Sequence, residues 1–179
     1  KLAHNVTRLG HLDLEGAGQI LVEGNHAYVG HITNKAGLGT SIVDVADPKN
    51  PKVICQLPVG DNTSHSHKAR AVGDIMITNM EQNMTAIGRK ADELPKLRTV
   101  MKAELGREAT DAELAAKLGV AAADIPEVDA LAKRPYAEGG FKVWDIKDRK
   151  NPKLLTHVRT HGRGVHRFDM DANYAYIST

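Results

Sequence analysis

The stretch "SIVDVADPKNPKVI", residues 41–54, joins two apolar runs through an Asp-Pro-Lys-Asn-Pro turn. The stretch "KVWDIKDRKNPKLL", residues 142–155, has the same pattern 101 positions later. The polar positions that match are Asp44, Asp47, Lys49, Asn50, Pro51 and Lys52 with Asp145, Asp148, Lys150, Asn151, Pro152 and Lys153. Proline presets φ for such a turn, and aspartate accepts hydrogen bonds from its backbone. The segment is therefore a repeated unit of strand, turn and strand.

The spacing of the copies predicts the architecture. An earlier partial copy, "NVTRLGHLDL" at residues 5–14, aligns with residues 50–59 at an offset of 45. The next interval, from Asn50 to Asn151, exceeds that period by 56 residues, and a block of different character fills roughly 84–139. A period near 45 residues with short, turn-bounded strands is typical of a four-stranded propeller blade. We predict an all-β fold, a segment of a β-propeller with four-stranded antiparallel blades and an α-helical insertion.

The predicted blades occupy residues 1–83 and 140–179, and the predicted insertion or cap occupies 84–139. The predicted strands are Gln19–Val22, Ala27–His31, Thr40–Val45, Lys52–Leu57, His67–Val72, Ile75–Asn79, Phe141–Ile146, Lys153–Arg159, Val165–Met170 and Tyr174–Ser178. On this interpretation the sequence starts inside an outer strand and ends inside the second strand of a unit. Unpaired sheet edges aggregate, and propellers typically use 4 to 8 blades. We therefore expect the remaining blades to come from a second fragment or chain.

The repeated "SIVDVADPKNPKV" and "FKVWDIKDRKNPKL" resemble the LVIVD repeat, in which a strand ending in Val-Asp precedes a proline turn. The stretch "GVHRFDMDANYAYIST" resembles the opening of a blade in bacterial exported members of that family. The chain departs from the family pattern at Arg149, where the turn proline is absent. The resemblance implies a β-propeller of about seven blades and a periplasmic or secreted location, but no particular reaction.

The predicted insertion is helical in pattern over residues 94–134. Thr110 followed by Glu113 predicts a capping box. The stretch "LGREATDAELAAKLGV" resembles a helix of the helix-turn-helix in bacterial sigma factors. A recognition helix should follow it, but the next segment carries the acidic Glu127 and is interrupted by Pro126. We predict a small helical cap that does not bind nucleic acid.

The composition is consistent with this prediction. A formal charge of +2 does not indicate nucleic acid or an anionic membrane as a partner. Aromatic residues make up only 4% of the chain, which argues against base stacking. No stretch approaches the roughly 18 apolar residues of a membrane span.

Histidines supply the candidate chemistry. His67 and His166 fall at the start of the innermost strand of their units, and innermost strands line a propeller channel. His65 and His161 lie on the loops just before those strands. Because imidazole is the commonest metal ligand, these four residues are predicted to bind Cu, Fe or Zn. The open alternative is that they form structural hydrogen bonds, since no carboxylate signature accompanies them.

Arg70, Arg163 and Arg167 near the same channel mouth are candidates for binding an anionic small molecule. The sequence leaves two functions open. One is a metal-dependent enzyme, an oxidoreductase or a hydrolase acting on a small molecule, with catalytic residues unassigned. The other is a non-enzymatic propeller scaffold that binds a protein or a surface ligand.

Overall fold

The computed structural model of this chain describes residues 5–32, 35–61, 63–83, 86–133 and 136–178. The chain divides into a β-sheet unit, residues 1–82 and 137–179, and a helical unit, residues 83–136. The sheets are antiparallel throughout. Residues 84 and 85, where the predicted insertion begins, lie outside the described residues.

The first sheet has four strands that pair in chain order. They are β1 (Ala17–Glu23), β2 (His26–His31), β3 (Leu38–Asp44) and β4 (Lys52–Pro58). The central strands β2 and β3 are almost wholly buried, whereas β1 and β4 are largely exposed or half-buried. The Gly-Asn turn at residues 24–25 connects β1 to β2 because Gly24 adopts a φ of +56°, which side chains disfavour.

The second sheet has the same order with one additional short strand. Its strands are β5 (Ser64–His65), β6 (Ala69–Val72), β7 (Ile75–Gln82), β8 (Gly140–Asp145) and β9 (Lys153–Arg159). Both β5 and β6 pair with β7, which then pairs with β8. A third sheet contains β10 (Arg167–Met170) and β11 (Ala175–Ser178).

The two copies of the turn motif have the same geometry. Asp47 Oδ1 accepts the backbone N–H of Lys49 at 2.9 Å, and Asp148 Oδ1 accepts that of Lys150 at 2.9 Å. The strand pairing also shifts register at equivalent points, between Ile42 and Val43 in one sheet and between Val143 and Trp144 in the other. The repeated sequence therefore adopts a repeated structure, which includes a register shift at the equivalent position of each sheet.

Ten predicted strands are found close to their predicted limits. One prediction was too short, because β7 continues three residues past Asn79 to Gln82. The prediction of an outer strand at residues 5–14 was wrong, since the described part of the chain contains no strand there. A strand requires a hydrogen-bonded neighbour, and no described strand pairs with that segment.

Apolar side chains hold the three sheets together in chain order. Tyr28 and Ile42 of the first sheet pack against Met76 and Ile146 of the second, all with no exposed surface. A separate cluster joins the second sheet to the third and contains Ile77, Phe168 and Val165. Full burial of each such side chain contributes about 1.5–3 kcal/mol. The seams between sheets are therefore the main cores of this unit.

The helical unit contains α1 (Ala86–Leu105), α2 (Asp111–Leu118) and α3 (Ile125–Lys133), with a 3-10 turn at Ala122–Asp124. Its core includes Leu94 and Leu114. The predicted capping box is confirmed, because Thr110 accepts the N–H of Glu113 and Glu113 accepts that of Thr110. No helix in the described part of the chain is long and apolar enough to cross a membrane.

The prediction that Pro126 interrupts the segment after α2 was wrong. Pro126 is the second residue of α3. Proline is tolerated in the first turn of a helix, because the N–H that it lacks has no partner there in any case. Pro126 therefore lies at the start of a helix rather than at a break.

Candidate metal centre

The extension of β7 beyond its predicted end creates the centre of the site. Glu81 lies in that extension and is paired directly with His65 of β5. Directly opposed residues of an antiparallel pair project on the same face of the sheet. His65 Nε2 accordingly lies 3.2 Å from Glu81 Oε2, and both side chains are 17% exposed.

His67 reaches the same carboxylate from the segment between β5 and β6. Its Nδ1 lies 3.4 Å from Glu81 Oε2, and its side chain is 8% exposed. The first sheet fixes the backbone here, because the carbonyl of His67 accepts the N–H of Gln19 at 3.0 Å. No larger residue than glycine fits opposite, since a Cβ on Gly30 would lie 2.2 Å from the carbonyl carbon of His67.

His166 is the residue that immediately precedes β10. Its Nδ1 lies 3.0 Å from Oε1 and 2.9 Å from Oε2 of Glu81, so it spans both oxygens. The approach is set by an isolated antiparallel bridge between Glu81 and Gly164. The ring centroid of His67 lies 5.2 Å from that of His65 and 5.0 Å from that of His166. Three histidines from two sheets thus surround one carboxylate.

Asn79 determines which nitrogen of His67 carries the proton. The buried Asn79 side chain accepts the N–H of Lys68 at 2.9 Å and donates to the carbonyl of Val165 at 2.9 Å. These two bonds fix the amide orientation, and its other N–H lies 3.1 Å from His67 Nδ1. Nδ1 must therefore be an acceptor, which places the proton of a neutral His67 on Nε2.

The charges around the carboxylate are unusual. Burial, together with the neighbouring His65, lowers the pKa of His67 to about 4, and the opposing effect of Glu81 is smaller. Burial raises the pKa of Glu81, but hydrogen bonds from His65 and His166 outweigh burial and leave that pKa below its usual value. A neutral His67 imidazole therefore lies beside an ionised carboxylate, whose negative charge a cation would stabilise.

The donor geometry matches a small metal ion. One ligand atom from each of His65, His67 and Glu81 lies within 4.8 Å of the other two. Tetrahedral bonds of about 2.0–2.1 Å separate neighbouring donors by about 3.3–3.4 Å. The measured separations from Glu81 Oε2, 3.2 Å to His65 and 3.4 Å to His67, are close to that value.

The structure brings together three of the four histidines predicted from the sequence. His65, His67 and His166 all contact Glu81. His161 lies in an exposed turn after β9, and the close donor group found among the described residues does not include it.

The predicted arginines have different environments. Arg70 Nε donates to Asp169 Oδ1 at 3.1 Å, so that guanidinium is already paired. The backbone carbonyl of Arg163 accepts the N–H of Gln82 at 2.9 Å. Arg167 is exposed at the start of β10, next to His166.

Glu81 is the functional residue that sequence reasoning missed, and the expectation that no carboxylate accompanies the histidines was wrong. The signal was a departure from the repeat. Strand pairing makes Asn79 of the second sheet equivalent to Gly30 of the first. Glu81, two residues later, is therefore equivalent to Ile32. A carboxylate thus takes the place of an apolar residue of the repeat, beside two histidines.

No family model, curated protein or solved structure matches this chain.

Proposed function

We propose that the β-sheet unit is a segment of a β-propeller and holds a transition-metal ion through His65, His67 and Glu81. The observation that carries the metal proposal is the convergence of two imidazole nitrogens on one carboxylate oxygen, at 3.2 and 3.4 Å. The ionised state of Glu81 adds to it, because a cation would stabilise that partly buried negative charge.

Three features support the propeller interpretation. The first and second sheets share strand order, turn bonds and the position of the register shift. A third sheet opens with the same inner pair of strands. The sheets also pack on one another in chain order, as consecutive blades do. His67 and His166 lie just before successive innermost strands, β6 and β10, rather than at their starts as predicted.

The ligand set restricts the chemistry. Two histidines and one carboxylate hold zinc in hydrolases that activate a bound water. The same set, with open positions, holds Fe(II) in non-haem oxygenases. We therefore favour a metal-dependent enzyme that hydrolyses or oxidises a small molecule, with Zn and Fe ahead of Cu.

The competing function is a non-enzymatic scaffold, and one observation favours it. His166 joins the third sheet to Glu81 of the second through an ordinary hydrogen bond. Arg70 and Asp169 join the same two sheets. The histidine cluster would then be a set of polar contacts that holds the sheets together without a metal.

Metal titration of the full 179-residue chain distinguishes the two functions. After treatment with a chelator, the protein should bind about one equivalent of Zn²⁺ or Fe²⁺ by calorimetry. Glu81→Gln should lower the affinity by at least about 10-fold, because it removes the only anionic ligand. His26→Ala, at the start of β2, is the matched control and should bind normally. A folded wild-type protein that binds neither metal leaves only the scaffold function.

A further inference from the structure

Two apolar side chains of β9 are exposed where their equivalents in the first sheet are partly buried. The 101-residue offset between the two turn motifs makes Leu155 equivalent to Ile54. By the same offset, Val158 is equivalent to Leu57. Ile54 and Leu57 pack against the cluster that joins the first sheet to the second, and Trp144 of β8 packs against the same cluster. Leu155, by contrast, is 56% exposed and Val158 is 40% exposed.

β11 has an open edge among the described strands. β2 and β7, which hold the second place in their sheets, each pair with strands on both sides. β11 holds the second place in the third sheet and pairs with β10 alone in the part of the chain that the structure describes. The strand on the far side of β7 is β8, which carries Trp144. By this equivalence, a strand paired with the open edge of β11 would correspond to β8 and would cover Leu155 and Val158.

We propose, resting on the propeller interpretation above, that β11 pairs with an antiparallel strand of a second polypeptide, whose apolar side chains cover Leu155 and Val158. The described strands of this chain already have other positions in their sheets, so none of them is available for this place. In such strand addition the backbone hydrogen bonds supply affinity, and the alternate side chains supply specificity.

The equivalence also defines the occupant. It is a strand–turn–strand segment of the kind found at residues 38–58 and 140–159, since those segments fill this place in the first two sheets. Its first strand needs an apolar side chain at the place of Trp144, because Trp144 packs on the cluster between those sheets. A single exposed leucine needs no partner. An apolar face that is covered in the equivalent sheet, together with an open strand edge, indicates one.

A synthetic peptide of residues 140–159 provides the probe, because that segment forms the equivalent strand pair in the second sheet. A fluorophore on the peptide reports binding to the full chain by anisotropy, and we expect saturable binding of about one equivalent. Leu155→Asp in the full chain should weaken binding by at least about 10-fold, because the peptide would bury the new charge. Leu154→Asp is the matched control. Leu154 is 49% exposed and points to the other face of β9, so binding should stay within about two-fold.

Three outcomes would overturn the inference. One is a folded chain that does not bind the peptide, and another is an equal loss of binding in the two leucine variants. The third is a chain that associates with itself and excludes the peptide, because the occupant would then be a second copy. Titration of the same sample with Zn²⁺ separates this inference from the proposed metal site. A chain that binds Zn²⁺ without the peptide keeps the metal site and loses the docking surface, and a chain that binds only the peptide does the reverse.

Discussion

Asn79 and His67 are joined by a hydrogen bond of 3.1 Å between the Asn79 amide nitrogen and His67 Nδ1. The same amide group binds two backbone groups from different segments, the Lys68 N–H just before β6 and the Val165 carbonyl before β10. One fully buried side chain thus links the second sheet to the third and sets the state of a candidate ligand.

Replacement of Asn79 by Ala should therefore affect stability and the tautomer of His67 together. Two buried backbone groups would lose their partners, and each unsatisfied group costs about 1–3 kcal/mol. We expect the free energy of unfolding in urea to fall by about 2–4 kcal/mol. The tautomer of His67 should lose its constraint as well, because Nδ1 would no longer accept from Asn79. The exposed Asn173→Ala is the control, and an equal loss in both variants would contradict this role for Asn79.

Glycine at position 30 is required by the approach of the first sheet to the His67 backbone. A Cβ there would lie 2.2 Å from the His67 carbonyl carbon and 2.3 Å from the Lys68 nitrogen. Such contacts can be relieved only by separating the two sheets, so Gly30→Ala should destabilise the protein by about 1–3 kcal/mol or more. Gly18→Ala is the graded control, because its nearest contact would be 3.1 Å, to the His67 carbonyl oxygen. A thermal melt in which Gly18→Ala is the more damaging of the two would count against this explanation.

His157 gives a pH dependence whose sign can be worked out. Burial, with the nearby charges of Arg159 and Lys142, lowers its pKa below the usual value of 6.5. Below about pH 6.5 the unfolded chain therefore binds a proton that the folded chain does not. The stability contributed by this group is complete above that pH and is lost as the pH falls.

Urea denaturation at pH 7 and pH 5 measures this effect. The wild-type protein should lose more unfolding free energy between the two pH values than His157→Gln does, because the variant has nothing to protonate at that position. His11→Gln is the control for loss of an exposed histidine, since the His11 side chain is 54% exposed. Identical pH dependence in wild type and His157→Gln would show that burial of His157 does not couple its protonation to folding.

The repeat could be predicted from the sequence because it is local. A turn defined by Asp47 and Pro48 forms from adjacent residues, and strands of period 2 on either side follow from the alternation of side chains. Because His67 and His166 occupy equivalent positions in successive units, the sequence also predicted that they lie near each other. Both inferences need only the order of residues along the chain.

The rest of the site depends on pairing between strands, which residue order does not specify. The position of Glu81 beside His65 follows from the continuation of β7 past Asn79 and its pairing with the two residues of β5. A two-residue strand has no periodicity to detect. Likewise, the role of Asn79 depends on a backbone carbonyl 86 positions away. The carboxylate of the histidine cluster could therefore not be predicted, because its position depends on long-range strand pairing.

The two aspartates of the repeated turn allow a test of the repeat itself. Asp47 Oδ2 accepts from the Asn50 side chain at 2.6 Å, and Asp148 Oδ2 accepts from that of Asn151 at 2.7 Å. Each side chain also accepts a backbone N–H two residues on. Since the contacts are equivalent, Asp47→Ala and Asp148→Ala should each lower the free energy of unfolding by a similar amount. The two losses should add in the double variant, because distant sites act independently. Asp13→Ala, with a side chain 95% exposed, is the control for loss of a surface charge. If the two losses differed several-fold, the turns would not be equivalent parts of one repeating unit.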